Sequence, residues 1–372
     1  MADTRANANL TPEIWDDQFF TEYLTENRYA GEMGTNENNV IQVKEDLTKK
    51  KGDRVNFALV NKLTQDAVTG RGTMEGNEEE LGTRSFELAV DKRRNAVRVA
   101  EIDEQFSAIS LREAAKFTLK DWSMKDTERL ITMALGDMNG IPMTAAAVGL
   151  AGNQAALDAW LVDNADRVFF GNSAYAASSG DLSAGLATLT AGTAAERLTA
   201  ANISAMKFMA MNQANPKIRP IRSEANGRHY YLMYAHPLGF RDLKTDSTIT
   251  AAQREVSLEM ENNRLFKGGD LLWDGVIIKE AHDLYDYSTL TALGDTSTVV
   301  PAFLCGAQAI GVAYARRWRS KTEEFDYGDK HGVEISSIYG IDKMVFGSGA
   351  GDRDDPKDHG VVTGFFASST AS

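Results

Sequence analysis

Residues 54–101 carry the pattern that most restricts how this chain can fold: runs of alternating apolar and polar residues on either side of a glycine-rich, acidic break. Val55, Phe57 and Leu59 alternate with polar neighbours, as do Phe86, Leu88 and Val90 and then Val97 and Val99. The break reads Gly70-Arg71-Gly72-Thr73-Met74-Glu75-Gly76-Asn77-Glu78-Glu79-Glu80-Leu81-Gly82. A period of two bounded by glycines is the signature of strand, turn and strand. The expectation is one long β-hairpin, with arms of roughly fifteen residues that reach on the order of 50 Å at about 3.3 Å per residue. A two-stranded ribbon alone is marginal in water. Its apolar face requires a partner, and the expected partner is another copy of the same chain. The pattern points to assembly before it points to chemistry.

At 372 residues the chain exceeds what one compact core usually holds, so two or more lobes are expected. A hydrophobic content of 43% and a charged content of 25% fit a soluble globular protein. The 40 basic and 53 acidic residues leave a net charge of −13, which argues against a general nucleic-acid binder, because neutralising phosphates needs a basic surface. That balance leaves room for a face that looks onto DNA without gripping it. Cys305 is the single cysteine, so an intrachain disulfide and any multi-cysteine zinc or iron–sulfur site are excluded. The start, Met1-Ala2-Asp3-Thr4-Arg5, lacks the apolar core of a secretory signal, and no run of about 18 apolar residues suggests a membrane span. The expectation is a protein made in a cytoplasm and soluble there until it assembles.

Residues 1–48 read as an arm. Thr11-Pro12-Glu13 is a good helix start, with a hydroxyl at the N-cap, proline in the first turn and an acid at the positive dipole end. Trp15, Phe19, Tyr23 and Leu24 then share one helical face, either as a core helix or as an aromatic stripe docking on a neighbour. Beyond the hairpin, Ser110-Leu111-Arg112-Glu113 is a capping box. Leu111, Ala115, Leu119 and Trp122, then Leu130, Ile131, Ala134 and Leu135, continue a helix that stops at Gly136. About 25 residues at 1.5 Å each give a spine of roughly 38 Å.

Residues 136–198, rich in Ala, Gly, Ser and Thr, read as irregular with short helices. Residues 199–215 look helical and are closed by Pro216; 229–235 read as a strand stopped by His236-Pro237. Helix-like 250–262, a Gly268-Gly269 turn and a strand over 275–280 complete an α/β lobe of its own over 216–298. Short strands follow around 305–319, 333–338, 343–346 and 361–366. The fold class is α+β in at least two lobes with one extended ribbon.

The sequence offers little chemistry. It contains no Gly-x-x-x-x-Gly-Lys-Ser/Thr loop, no His-Glu-x-x-His and no Gly-x-Ser-x-Gly. Gly347-Ser348-Gly349-Ala350-Gly351 fits no dinucleotide fingerprint and is followed by Asp352, Asp354 and Asp355, which would repel a phosphate; a surface turn is expected there. The histidines, His229, His236, His282, His331 and His359, form no i, i+4 pair for a metal. The least bad catalytic candidates are Glu280, His282 and Cys305, but a strand-end salt bridge and a buried small residue are the simpler readings. Three basic clusters stand against the acidic background: 49–51; Lys92, Arg93, Arg94 and Arg98; and Arg316-Arg317-Trp318-Arg319 with Lys321. Nucleic-acid contact, a solvated strand face and an intersubunit charge partner are the alternatives. For 92–98 the intersubunit reading is preferred, with Glu75, Glu78, Glu79 and Glu80 of the tip, beside Arg71, as the complementary charges setting register between copies.

Read in order, several segments resemble a known family. They are Gly52-Asp53-Arg54-Val55-Asn56-Phe57, the glycine-rich tip, Arg93-Arg94-Asn95-Ala96-Val97, Leu111 to Trp122, and Tyr234-Ala235-His236-Pro237 with Asp242-Leu243. Asn263-Arg264-Leu265-Phe266-Lys267-Gly268, Gly275-Val276-Ile277-Ile278, Gly306-Ala307-Gln308-Ala309 and Asp326-Tyr327-Gly328 follow. In that order, from about residue 45 onward, the chain is similar to the major capsid proteins of tailed bacteriophages with the Hong Kong 97 fold. The resemblance implies an N-terminal arm over 1–48 and an extended β-hairpin loop over 49–104. A peripheral domain over 105–215 and 299–372 would carry the spine helix, and 216–298 would be an axial domain. It implies homo-hexamers and pentamers closing an icosahedral shell around double-stranded DNA, with no enzymatic activity, no cofactor and no metal. A separate scaffolding protein and a portal are implied partners, and a decoration protein is an optional one; packaged DNA would lie inside without sequence-specific binding. A cellular nanocompartment shell of the same fold is the alternative, and a soluble two-domain enzyme a remote one.

Overall fold

The computed structural model describes residues 28–45, 47, 52–60, 63, 65–79, 81–107, 110–171, 173–174, 180–191, 193–222, 229–255, 266–267, 270–282, 284, 298–348 and 354–368. They divide into two compact units. The larger comprises the described residues of Tyr29–Val90, Arg129–Tyr314 and Gly340–Ser372; the smaller comprises Arg28 with those of Asp91–Glu128 and Ala315–Tyr339.

The larger unit is built on a mixed sheet. Its strand order is Phe266–Lys267, Asp270–Trp273, Val276–Glu280, His229–Ala235, Thr298–Cys305, Val361–Ser368, Val168–Phe170 and Ser173–Ala174, with Ile221–Arg222 pairing on the side of His229–Ala235. The central strands are near-continuous apolar runs, as strands covered on both faces require. Alternate residues feed two cores. Leu232, Tyr234, Phe303, Cys305 and Phe365 join Leu157, Trp160 and Leu161 of the helix Gln154–Asp163. Tyr231, Met233, Ala302, Leu304 and Phe366 join Ile203 and Met206 of the helix Ala200–Phe208 and Phe240 and Leu243 of the helix Pro237–Thr245. His236 caps that last helix through Nδ1, which accepts the Leu238 N–H at 3.2 Å, and Pro237 opens its first turn.

In the smaller unit, Asp91–Ala100 runs antiparallel to the first part of Lys330–Lys343, Val97 opposite Val333 and Arg93 opposite Ser337. The outer part of Ile310–Phe325 and residues 111–128 of the helix Leu111–Leu135 complete it. Trp122 of the helix meets Trp318 edge-on, ring centroids 5.9 Å apart, and Trp318 lies 5.6 Å from Tyr339.

Several expectations change. The hairpin is shorter than its pattern suggests: Arg54–Val60 pairs with Thr83–Ala89, Phe57 opposite Phe86 and Val55 opposite Leu88. Seven residues per arm reach about 23 Å at roughly 3.3 Å per residue. Val97 and Val99 belong to a different ladder, because alternation fixes which face a residue takes but not which strand it pairs with. The segment 216–298 is not a separate lobe by its hydrogen bonding, since His229–Ala235 pairs with Thr298–Cys305. Residues 136–198 hold the helices Gln154–Asp163 and Leu182–Ala187 and the strand Val168–Phe170, with Leu157, Trp160 and Leu161 sealed in the core. Their alanines are strong helix formers, and the low periodicity reflects burial on more than one side. The short strands expected near 305–319 and 333–338 are long: sixteen residues in Ile310–Phe325 and fourteen in Lys330–Lys343. Trp15, Phe19, Tyr23 and Glu80 lie outside the described residues.

Candidate assembly surfaces

The hairpin is anchored at its base and bare at its tip. Val55, Phe57 and Leu88 bury against Ala313, Met344 and Phe346 of their own chain. Lys44 Nζ sits 4.4 Å from the centre of the Phe57 ring. Gly340 is required beside it, because a Cβ there would meet the Ala89 carbonyl oxygen. The apolar base therefore needs no second copy, which corrects the expectation drawn from alternation alone.

Beyond Val60 and Thr83 the described residues change character. Val60, Leu63, Met74 and Leu81 are exposed, each by 55–59%. Gly70 and Gly76 take φ of +69° and +86°, where L side chains are disfavoured. The tip folds on itself locally. Glu79 Oε2 accepts the Gln65 N–H at 2.9 Å, Glu78 Oε2 accepts the Gly76 N–H at 2.8 Å, and the Asn77 side-chain amide donates to Thr73 O at 2.9 Å. Glu75, Arg71 and Glu78 are exposed. A monomer gains little by projecting so much apolar and charged surface.

The basic run 92–98 is split by the pleat. Lys92, Arg94 and Arg98 are exposed on one face. Arg93 faces the helix, where Nε and Nη2 donate to Asp126 Oδ2 and Oδ1, both at 2.6 Å. Asp126 is 4% exposed and also accepts from the Tyr339 hydroxyl at 3.1 Å. The pair raises the Arg93 pKa, chiefly through that hydrogen bond, and burial pushes the Tyr339 phenol up. Arg93 is thus a structural residue of its own subunit rather than a free charge for a neighbour. Asp126 escaped the sequence reading because the buried stripe of the spine helix turns polar in mid-course, at Ser123, Asp126, Thr127 and Glu128.

The strand Ile310–Phe325 alternates likewise. Trp318 packs on the helix side, and Arg317, Arg319 and Lys321 are exposed between the inward positions. Phe325 returns to the Arg98 face: the Arg98 guanidinium lies 4.5 Å from its ring centre, and Gly332, opposite Arg98, leaves the room the ring occupies. Arg317, Arg319, Lys321, Lys92, Arg94 and Arg98 therefore share the sheet face turned away from the helix. The interleaving of Arg317 and Arg319 around Trp318 was the visible signal in the sequence.

The catalytic candidates find structural roles. Cys305 is fully buried, and desolvation pushes its thiol up, which removes the thiolate a nucleophile needs. His282 Nδ1 stands 3.6 Å from Glu280 Oε1 at the end of a strand, with the imidazole side chain 53% exposed. Among the described residues no cluster of His, Cys, Asp and Glu could hold a metal ion.

A buried ionic group lies within the larger unit. Lys343 Nζ pairs with Asp358 Oδ2 at 2.7 Å and donates to Asp137 O at 2.5 Å. Arg167 donates to the carbonyls of Asp358, His359 and Pro216. Burial, then the charge of Asp137, pushes the Asp342 carboxyl up to about 6. Burial, then Arg167, Arg219 and Arg84, pushes the His359 imidazole down to about 4.

With this geometry in place, the comparisons decide the family. The sequence model of the phage capsid protein family matches residues 4–369. The chain belongs to that family. It is 28% identical to the major capsid protein of Pseudomonas phage KPP25 over 382 residues, covering 97% of this chain and 96% of the relative. Its structure is similar to the capsid chain of the cyanophage Pam1 asymmetric unit, with a TM-score of 0.81, 30% identity and full coverage of both chains. The capsid of Ralstonia phage GP4 shares the fold at a TM-score of 0.71 and 22% identity, again covering both chains in full. The chain thus has the expected α+β, Hong Kong 97-like capsid fold.

Proposed function

We propose that the chain is the major capsid protein of a tailed phage, its copies forming hexamers and pentamers that close into an icosahedral shell around double-stranded DNA. The observation that carries this reading is the end-to-end similarity to the Pam1 capsid chain, 100% of each at a TM-score of 0.81 and 30% identity, because the match runs through the whole of a subunit that builds a shell. The mechanism is multivalency: contacts that are modest singly hold when several neighbours are engaged at once. An exposed tip on an anchored base suits that role, with Glu75, Glu78, Glu79, Glu80 and Arg71 reaching a neighbour. Trp15, Phe19 and Tyr23 of the 1–48 arm are assigned to a second such contact. The peripheral role of 105–215 with 299–372 and the axial role of 216–298 describe position in a capsomer, not separate compactness.

The protein works without catalysis or cofactor, is assembled in the bacterial cytoplasm and ends in the virion. A scaffolding protein and a portal are its proposed partners, with a decoration protein where the shell needs reinforcement. Sedimentation velocity of the purified chain tests the reading. Species far heavier than the 40.7 kDa subunit are expected, and a lone monomer boundary at every concentration and in the presence of the scaffolding protein counts against it.

A further inference from the structure

Just past the end of the spine helix the chain makes a tight turn that shell building leaves unused. Met138 and Ile141 exchange both backbone hydrogen bonds, at 3.0 and 3.1 Å, with Asn139 and Gly140 between them. Their φ angles of +52° and +78° belong to the two-residue turn that favours Asn-Gly. Both residues are exposed, and nothing stands within 4 Å of where a Cβ on Gly140 would lie. The Gly140 nitrogen is therefore open on its side-chain side. Two further contacts bear on its chemistry. Asp137 Oδ2 accepts the Gly140 N–H at 3.0 Å, and the Asn139 side-chain amide donates to Ala156 O at 3.2 Å, in the helix Gln154–Asp163.

We propose that Asn139-Gly140 is a self-modifying site, at which Asp137 acts as the base that converts Asn139 to aspartate and isoaspartate. The Gly140 nitrogen attacks Asn139 Cγ while its proton passes to Asp137. The new N–Cγ bond closes a five-membered imide. The Cγ–Nδ2 bond breaks, and the proton held by Asp137 departs with that nitrogen as ammonia. Water then opens the imide at either carbonyl, giving aspartate, or isoaspartate with the backbone routed through Cγ. Water is the only co-reactant, and nothing is oxidised or reduced. Asp137 suits the role of base. Burial and the charge of Asp358 hold its pKa above the ordinary carboxylate range, against the Gly140 N–H and Lys343, and Asp342 faces it as a further acid. A carboxylate so placed takes up a proton more readily than an exposed one. The tie to Ala156 O restricts the carboxamide that is attacked.

The conversion proceeds in the subunit whether or not it assembles, and it alters the larger unit. A carboxylate at 139 has no N–H for Ala156 O and adds a negative charge close to Asp137. Isoaspartate lengthens the backbone by one methylene, which the Met138–Ile141 pairing does not accommodate. Met138 and Met143 on either side are core residues, and Lys343 Nζ holds Asp137 O. The subunit thus carries a slow chemical clock beside its longest helix.

The test incubates the full-length chain at about 37 °C and about pH 7.5, then digests it with trypsin, which releases residues 130–167 as one peptide. That peptide is expected to gain about 1 Da, located at residue 139 by fragmentation, and to be labelled by an isoaspartate methyltransferase. Asp137→Asn keeps an oxygen to accept the Gly140 N–H but cannot take its proton, so conversion is expected to slow at least about tenfold. In the parent chain the rate should change less than about twofold between about pH 7.5 and 8.5, whereas attack assisted by hydroxide alone rises about tenfold. This pH profile needs no variant, so it decides even where Asp137→Asn fails to fold. Residue 139 unchanged once Asn226-Gly227, the chain's other Asn-Gly pair, has converted overturns the inference. A tenfold rise per pH unit in the parent, or an equal rate in folded Asp137→Asn, assigns the conversion to hydroxide and overturns it as well.

Discussion

Arg93 holds both carboxylate oxygens of Asp126 at 2.6 Å, while Arg94, next along the strand, points to the opposite, exposed face. Sequence treats the two alike, and only the pleat tells them apart. Removing the Arg93 guanidinium takes two short charge-assisted hydrogen bonds from a nearly buried carboxylate, a loss worth roughly 3 kcal/mol. Arg93→Ala is therefore expected to lower subunit stability by about that much in urea unfolding, and Arg94→Ala by less than about 0.5 kcal/mol. Asp342 gives a pH signature. Its folded pKa of about 6 lies above the ordinary 3.8, so protonation favours the folded chain. That stabilisation is fully present below about pH 4 and lost as pH rises through about 6. Asp342→Asn keeps the oxygen that accepts the Lys343 N–H, so it should add roughly 1–2 kcal/mol near pH 7.5 and almost nothing at pH 4. His359 works in the other direction: its lowered pKa, about 4, makes the folded chain lose stability as pH falls below about 6.5. Neither group was legible in the sequence, because their shifts come from burial beside residues distant along the chain.

At the scale of elements, sequence was most reliable where one period ran long and ended on a clear stop. The helix expected over 110–135 spans Leu111–Leu135, and the strand stopped by His236-Pro237 is His229–Ala235. It was least reliable on pairing. Arg54–Val60, Thr83–Ala89 and Asp91–Ala100 share one alternating pattern, yet the first two pair with each other and the third with Lys330–Tyr339. Alternation carries no information about partners. The structure gives the tip a clean excision point, because Val60 and Thr83 are opposite each other at the end of the ladder. Replacing residues 61–82 with Asn-Gly, which favours a two-residue hairpin turn, should keep the Val55, Phe57 and Leu88 core and leave the thermal midpoint within a few degrees. It should abolish shells. Normal shells from that variant would show that the tip is not an assembly arm.

For the whole molecule, the fold class and the family were readable from an ordered succession of weak segments, none decisive singly. The contacts between copies were readable only as charge and exposed apolar surface, since they belong to a surface that one chain does not complete. What the account asks of the molecule is that many modest contacts, from arm, tip and strand face, act at once. Assembly should then be steep in protein concentration and fall with added salt well before the subunit unfolds. Electron microscopy of the full-length protein, purified alone and again after co-expression with a scaffolding protein, tests this most directly. The account predicts closed shells, or rings of five and six subunits, in at least the second preparation. Dispersed monomers or dimers in both would contradict it.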